Sequence, residues 1–180
     1  MGRFHSDNPG TLIRDARLDL GITQTELAGR AELPETTIAE MESGAMSVSP
    51  DMLEHVLRAA DYRPNLALKH YYAEIRQEAT RRGLRNVRIF GSVARGDDGF
   101  DSDIDLLVTP GEGTNAFDIA NFVDRVRQIT GFPTEVIVDT KPFPPGWTAG
   151  EEAVSSRMDS GRRSRSVVGV STKWVLMEPR

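Results

Sequence analysis

Phe90-Gly91-Ser92-Val93-Ala94-Arg95-Gly96 is followed, after a short acidic loop, by Asp103-Ile104-Asp105-Leu106-Leu107-Val108. On a β-strand side chains alternate between faces, so Asp103 and Asp105 project to one side while Ile104 and Leu106 enter a core. Two carboxylates at that spacing repel each other in the absence of a cation. Their oxygen ligands suit Mg²⁺, which readily keeps substrate phosphates in its shell. Gly91 and Ser92 fall where a strand turns into a helix, and the free N–H groups and helix dipole there attract an anion. Gly91 lets the backbone approach a phosphate closely, and the Ser92 hydroxyl offers a further donor. Arg95, one turn later, reaches either a phosphate oxygen or the acidic loop. A third carboxylate on a neighbouring strand would allow the site to activate an attacking hydroxyl. The best candidate is Glu135, in Pro133-Thr134-Glu135-Val136-Ile137-Val138, with Val136 and Val138 on the opposite face. Three such acids can hold two metal ions, one lowering the pKa of the nucleophile and the other clamping a triphosphate.

Blander readings compete at each position. Asp97, Asp98 and Asp101 read as solvated charge in a glycine-containing turn. Glu135 also fits an ordinary outward-facing strand residue. Asp101, Asp103, Asp105 and Glu112 occupy the first, third, fifth and twelfth positions of a calcium loop. The sixth position, which needs glycine for a sharp turn, is Leu106 inside an apolar run, and this rejects calcium.

The elements that must position these groups are short. A chain of 180 residues with 38% hydrophobic and 27% charged content accommodates two small globular domains, and the absence of cysteine leaves oxygen or imidazole as metal ligands. A net charge of -5 argues against a general nucleic-acid coat protein. No apolar stretch approaches the roughly 18 residues that cross a bilayer, and MGRFHSDNPG lacks an apolar leader core, so a cytoplasmic location is expected.

Residues 11–68 read as four or five short helices. Ile13, Ala16 and Leu20 share one face before Gly21. Thr23 and Glu26 form a capping box ahead of Leu27 and Ala28. Pro34 opens a helix that carries Ile38 and Met41 and stops at Gly44, and Leu53, Val56, Leu57 and Ala60 line another. Leu68, Tyr72, Ile75 and Ala79 then recur at helical spacing up to Gly83. Beyond it the period changes: strands are predicted at residues 87–90, 104–108 and 133–138, with a helix at 116–129. Prolines and a Ser/Arg-rich stretch from Lys141 predict a poorly ordered tail, with a marginal strand pair at 167–170 and 174–177.

Gly91-Ser92 with Asp103-x-Asp105 resembles the minimal nucleotidyltransferase family of the polymerase-β superfamily. The resemblance implies a small αβ core over residues 68–140 with a short mixed sheet. It also implies two Mg²⁺ ions at Asp103, Asp105 and the third acid, here Glu135 in place of the usual Asp. NTP phosphates, those of ATP being the expected ones, would lie at Gly91 and Ser92, with Arg95 a secondary candidate for phosphate contact.

Residues 1–67 resemble the Xre/Cro class of helix-turn-helix domains through Thr23-Gln24-x-x-Leu27-Ala28 and Glu42-x-Gly44. That resemblance implies DNA contacts from Gln24 to phosphate and from Thr36, Thr37 and Glu40 in the major groove, as well as a two-fold dimer. The recognition helix carries Glu35, Glu40 and Glu42, which DNA phosphates repel, with Arg14, Arg17, Arg30 and Arg58 available as compensating contacts. A docking role remains the alternative. The expected class is α+β, an all-α bundle followed by the αβ domain. Proteins joining these modules resemble antitoxins that attach AMP to a hydroxyl of a partner toxin and repress their own operon. The alternatives are a regulator with an inactive transferase domain and an aminoglycoside-modifying enzyme.

Overall fold

The computed structural model describes residues 2–139; the tail from Lys141 and its expected strand pair lie outside the described residues. Among the described residues, eight helices and a three-stranded mixed sheet make an α+β arrangement in which the first five helices precede the sheet domain.

The helical half is built from α1 (Pro9–Leu20), α2 (Gln24–Ala31), α3 (Glu35–Ser43) and α4 (Pro50–Ala59). Thr23 and Glu26 form the expected reciprocal capping box. Ile13, Ala16, Leu27, Ile38, Met41 and Val56 are fully buried, so the helical periodicity marks the core faces correctly. One charged knot ties three of these helices together. Glu42 on α3 accepts from Arg17 Nε on α1 at 2.6 Å, from Arg17 Nη2 at 2.9 Å and from Gln24 Nε2 on α2 at 2.8 Å.

The single helix expected from Leu68 to Gly83 is two, α5 (Pro64–His70) and α6 (Tyr72–Arg81). Tyr71, at φ -100° and ψ 14°, interrupts them, while its N–H still donates to Ala67 and its carbonyl still accepts from Ile75. The kink leaves Leu68, Ile75 and Ala79 buried, which is why periodicity alone does not reveal it. α5 also begins earlier than expected, because Pro64 sits comfortably in a first turn.

The sheet follows the predicted alternation. Strand β1 (Leu84–Ile89) runs antiparallel to β2 (Ile104–Pro110), and β2 runs parallel to β3 (Thr134–Val138), in the order β1-β2-β3. The short helix α7 (Gly91–Arg95) joins β1 to β2, and α8 (Ala116–Thr130) supplies the long connection that a parallel pair requires. β1 starts before the predicted Val87 because its register shifts between Arg85 and Arg88, where Asn86 adopts φ 47°. This irregularity breaks the alternation that sequence reading relies on. Phe90, predicted as strand, is instead the residue that caps α7. Helices α6 and α8 pack against β1, β3 and each other, and Ile104, Leu106 and Val108 are fully buried.

The segment before α1 has no counterpart in the sequence reading. Phe4 is 2% exposed and meets the rings of Tyr62, Phe100 and Phe132 at centroid distances of 5.6, 5.7 and 5.2 Å. Gly131 makes room for it: a Cβ there would lie 2.4 Å from Phe4 Cδ1, at a φ of +77°. The buried cores of the bundle and of the sheet domain are continuous through this aromatic cluster.

Candidate active site

Because Ile104, Leu106 and Val108 point into the helix-covered core, Asp105 takes the opposite face of β2, and Asp103 lies one residue before the strand, near enough for its charge to act on Asp105. In the parallel pairing Asp105 stands directly across from Glu135, so the structure brings the acid predicted on β3 beside the second acid of β2.

The turn after β1 closes onto the same carboxylate. The Phe90 N–H donates to the Asp105 carbonyl at 3.1 Å. Gly91 has φ +68°, and a Cβ built on it would fall 1.9 Å from Asp105 Oδ2. Both the backbone conformation and the space therefore require glycine. The Gly-Ser turn and the Asp-x-Asp strand, separate motifs in the sequence, form one contact. The Ser92 hydroxyl oxygen is buried and has no hydrogen-bond partner. Buried polar groups are ordinarily paired, and this one lies where the anion-binding turn was expected.

Electrostatics mark Asp105 as the focus. Burial pushes its carboxyl above the usual aspartate range, the charges of Asp103 and then Glu135 push it further, and Arg95 acts in the opposite direction. A site of this kind favours a cation. Among the described residues, no three His, Cys, Asp or Glu side chains stand close enough to form a metal site by themselves. Mg²⁺ is commonly held by one or two carboxylates together with substrate phosphates and water. The donor set of Asp103 and Asp105, with Glu135 adjacent and an unsatisfied Ser92 hydroxyl nearby, fits a metal–triphosphate pair.

The remaining candidates fall into place unevenly. Arg95 is 60% exposed and its Nε donates to Asp97 Oδ2 at 3.1 Å, so of its two expected roles the structure displays the contact with the acidic loop. Asp97 and Asp101 are largely exposed, as solvated loop charge should be. Asp98 is not: it is 9% exposed, and its Oδ2 accepts the Asn65 N–H at 2.8 Å in the first turn of α5. The expectation of a solvated Asp98 is corrected, because an anion at a helix N-terminus satisfies a free amide there.

One pair on the Asp105 face of the sheet escaped the sequence reading. Arg88, opposite Leu107 in register, forms an ion pair with Asp139 just beyond β3, linking the two edge strands across β2. Glu135, Ile137 and Asp139 alternate, and that period was the available signal.

In the helical half, Thr36 and Glu40 are exposed on α3 and Thr37 is half-buried. The Gln24 amide nitrogen, expected at a DNA phosphate, is engaged by Glu42. Two of the arginines considered as DNA contacts are occupied elsewhere: Arg17 by Glu42, and Arg58 by Asp101 and the Phe100 ring.

A helical module with a recognition-type helix, joined to a small sheet that sets a glycine–serine turn against an Asp105 carboxylate paired with Glu135, defines a regulator-type domain fused to one of the nucleotidyltransferase type. Comparison with family models agrees: residues 13–65 match the helix-turn-helix family and residues 72–154 match the nucleotidyltransferase domain family. The chain is thus a helix-turn-helix domain followed by a nucleotidyltransferase domain. Neither a curated protein nor a solved structure matches it. No helix among the described residues is long and apolar enough to cross a membrane.

Proposed function

We propose that this chain is the antitoxin of a toxin–antitoxin pair, transferring AMP from ATP to a hydroxyl of its partner toxin, while its helix-turn-helix domain binds operator DNA as a dimer and represses the operon. The observation that carries the catalytic part is the Asp105 carboxylate, pressed against the Gly91 turn and standing opposite Glu135.

In this reading the backbone around Gly91 and the Ser92 hydroxyl hold the phosphates of ATP. Asp103 and Asp105 would hold Mg²⁺, with Glu135 beside them; bound there, the metal would neutralise charge on the triphosphate and on the displaced pyrophosphate. Glu135 accepts the proton of the acceptor hydroxyl as its oxygen bonds to the α-phosphorus. The bond from that phosphorus to the bridging oxygen breaks, and pyrophosphate leaves. AMP on a toxin hydroxyl adds charge and bulk where the toxin must act.

The test is incubation of the full chain with labelled ATP, Mg²⁺ and the product of the neighbouring gene. Label on that product with wild type, and none with Asp105→Ala, is the expected result. Label on an aminoglycoside instead would make this a drug-modifying enzyme. No label on any acceptor, with DNA binding intact, would leave a regulator with an inactive transferase domain.

A further inference from the structure

We propose that the helix-turn-helix half serves as a positioning clamp for the transferase site, through the loop that joins the Gly-Ser turn to the Asp103-x-Asp105 strand; the proposal rests on the transferase reading above. Three side-chain anchors hold residues 96–102 from outside the sheet domain. The Phe100 ring, 6% exposed, carries two guanidinium groups, Arg3 and Arg58, each 4.3 Å from its centroid. Arg3 Nη2 also donates to the Phe100 carbonyl at 2.7 Å, and Arg58 Nη1 donates to both oxygens of Asp101 at 3.1 Å. Asp98, further back in the loop, accepts the Asn65 N–H of α5. Arg58 lies on α4 and Asn65 on α5, and Arg3 is itself tied to α4 through Glu54, which accepts its backbone N–H at 2.8 Å.

The clamped loop has a catalytic group at each end. At one end the Gly96 and Asp97 N–H groups donate to the Ser92 carbonyl at 2.9 and 3.1 Å. At the other, Asp103 follows Phe100 by three residues. A loop that slackens shifts the phosphate turn and the first carboxylate relative to each other, and phosphoryl transfer depends almost wholly on such placement. The Arg58 side chain is 55% exposed and that of Asp101 75%, so their pair adds little by itself; the anchors that resist slackening are Arg3 on the buried Phe100 ring and the charge-assisted contact of the buried Asp98. Arg3, Arg58, Asp98 and Phe100 are positioning residues, since their contacts run to one another, to α4, to α5 and to the loop backbone. Because Arg58 and Asn65 belong to the helix-turn-helix module, any binding event that shifts α4 or α5 is linked to nucleotide affinity, and the linkage is reciprocal.

The experiment compares full-length wild type, Arg58→Ala, Arg58→Lys and Asp98→Ala, each shown to be folded by circular dichroism, in two measurements. Hydrogen exchange of residues 96–105 without nucleotide reads the clamp directly. Titration with ATP and Mg²⁺, followed by initial-rate kinetics, reads its consequence. The expected result is faster loop exchange in both alanine variants, with KM for ATP raised roughly tenfold and kcat changed less. Arg58→Lys, which keeps a cation over the ring, should recover most of the loss. Unchanged loop exchange in the folded alanine variants overturns the clamp. Faster exchange with wild-type KM and kcat overturns its positioning role. If wild type binds no ATP with Mg²⁺, the transferase reading falls, and the proposal falls with it; that failure is distinguishable because loop exchange still responds to the variants.

Discussion

At the scale of single residues, the site is a place where stability is exchanged for function, and Asp105 shows the sign of the exchange. Burial, Asp103 and Glu135 raise its proton affinity in the fold. An unfolded aspartate titrates at about 3.9. The folded chain therefore holds this proton more tightly; the favourable contribution is complete below that value and is lost as pH rises through the raised folded value. At neutral pH the ionised carboxylate opposes folding. Asp105→Asn should raise the melting temperature in chelator at pH 7 while abolishing transfer, and the gain should vanish when the comparison is made at pH 3. A variant no more stable than wild type at pH 7 would contradict this account. Ser92→Ala makes the complementary point. Its hydroxyl has no partner in the fold, so the melting temperature should hold or rise, while KM for ATP should increase about tenfold for the lost charge-assisted hydrogen bond. The placement of these two side chains was legible in the sequence because strand alternation and a glycine before a helix have fixed geometric meaning. Asp98 was not, because its partner is a backbone amide in a distant helix, and no local pattern distinguishes it from Asp97 beside it.

At the scale of elements, the helical half depends on one buried acid. The Glu42 side chain is 5% exposed and that of Arg17 12%. Burial pushes the Glu42 pKa up, but the hydrogen bonds from Arg17 and Gln24 outweigh it and leave the value below the usual glutamate range. The contribution is thus present above the unfolded value of about 4.3 and lost as pH falls through the lower folded value. Glu42→Ala strands a buried guanidinium, for which a cost of about 3 kcal/mol is expected; the low end of the usual range applies because Arg17 still donates to the Ile22 carbonyl at 3.0 Å. Replacing both partners, as Arg17→Met with Glu42→Leu, should recover most of that loss in urea unfolding, whereas a double variant as unstable as the single one would argue that the knot contributes more than mutual neutralisation. Helix positions here were readable because apolar spacing and capping residues are local signals. The break at Tyr71 and the irregular register at Asn86 were not, since a kink or bulge can keep the buried face intact while shifting the boundary.

At the scale of the whole molecule, the question is whether two domains unfold as one. Phe4 comes from the segment before α1, Tyr62 from between α4 and α5, Phe100 from the loop between α7 and β2 and Phe132 from the turn before β3. Nothing in the sequence pairs them, because each lies outside a periodic element and their contacts span most of the described chain. Their joint burial makes the interface between bundle and sheet part of a single core. Phe4→Ala removes a ring that touches the other three, as Phe132 also does, and a loss of about 4 kcal/mol is expected from the contacts and cavity involved. That loss falls on the junction and on neither domain's own core. Wild type should therefore melt in one calorimetric transition and Phe4→Ala in two, with the calorimetric enthalpy exceeding the van't Hoff value. A single transition in Phe4→Ala, merely shifted to lower temperature, would mean that the domains are coupled elsewhere, leaving the Arg3, Arg58 and Asp98 contacts with the loop between α7 and β2 to hold them together.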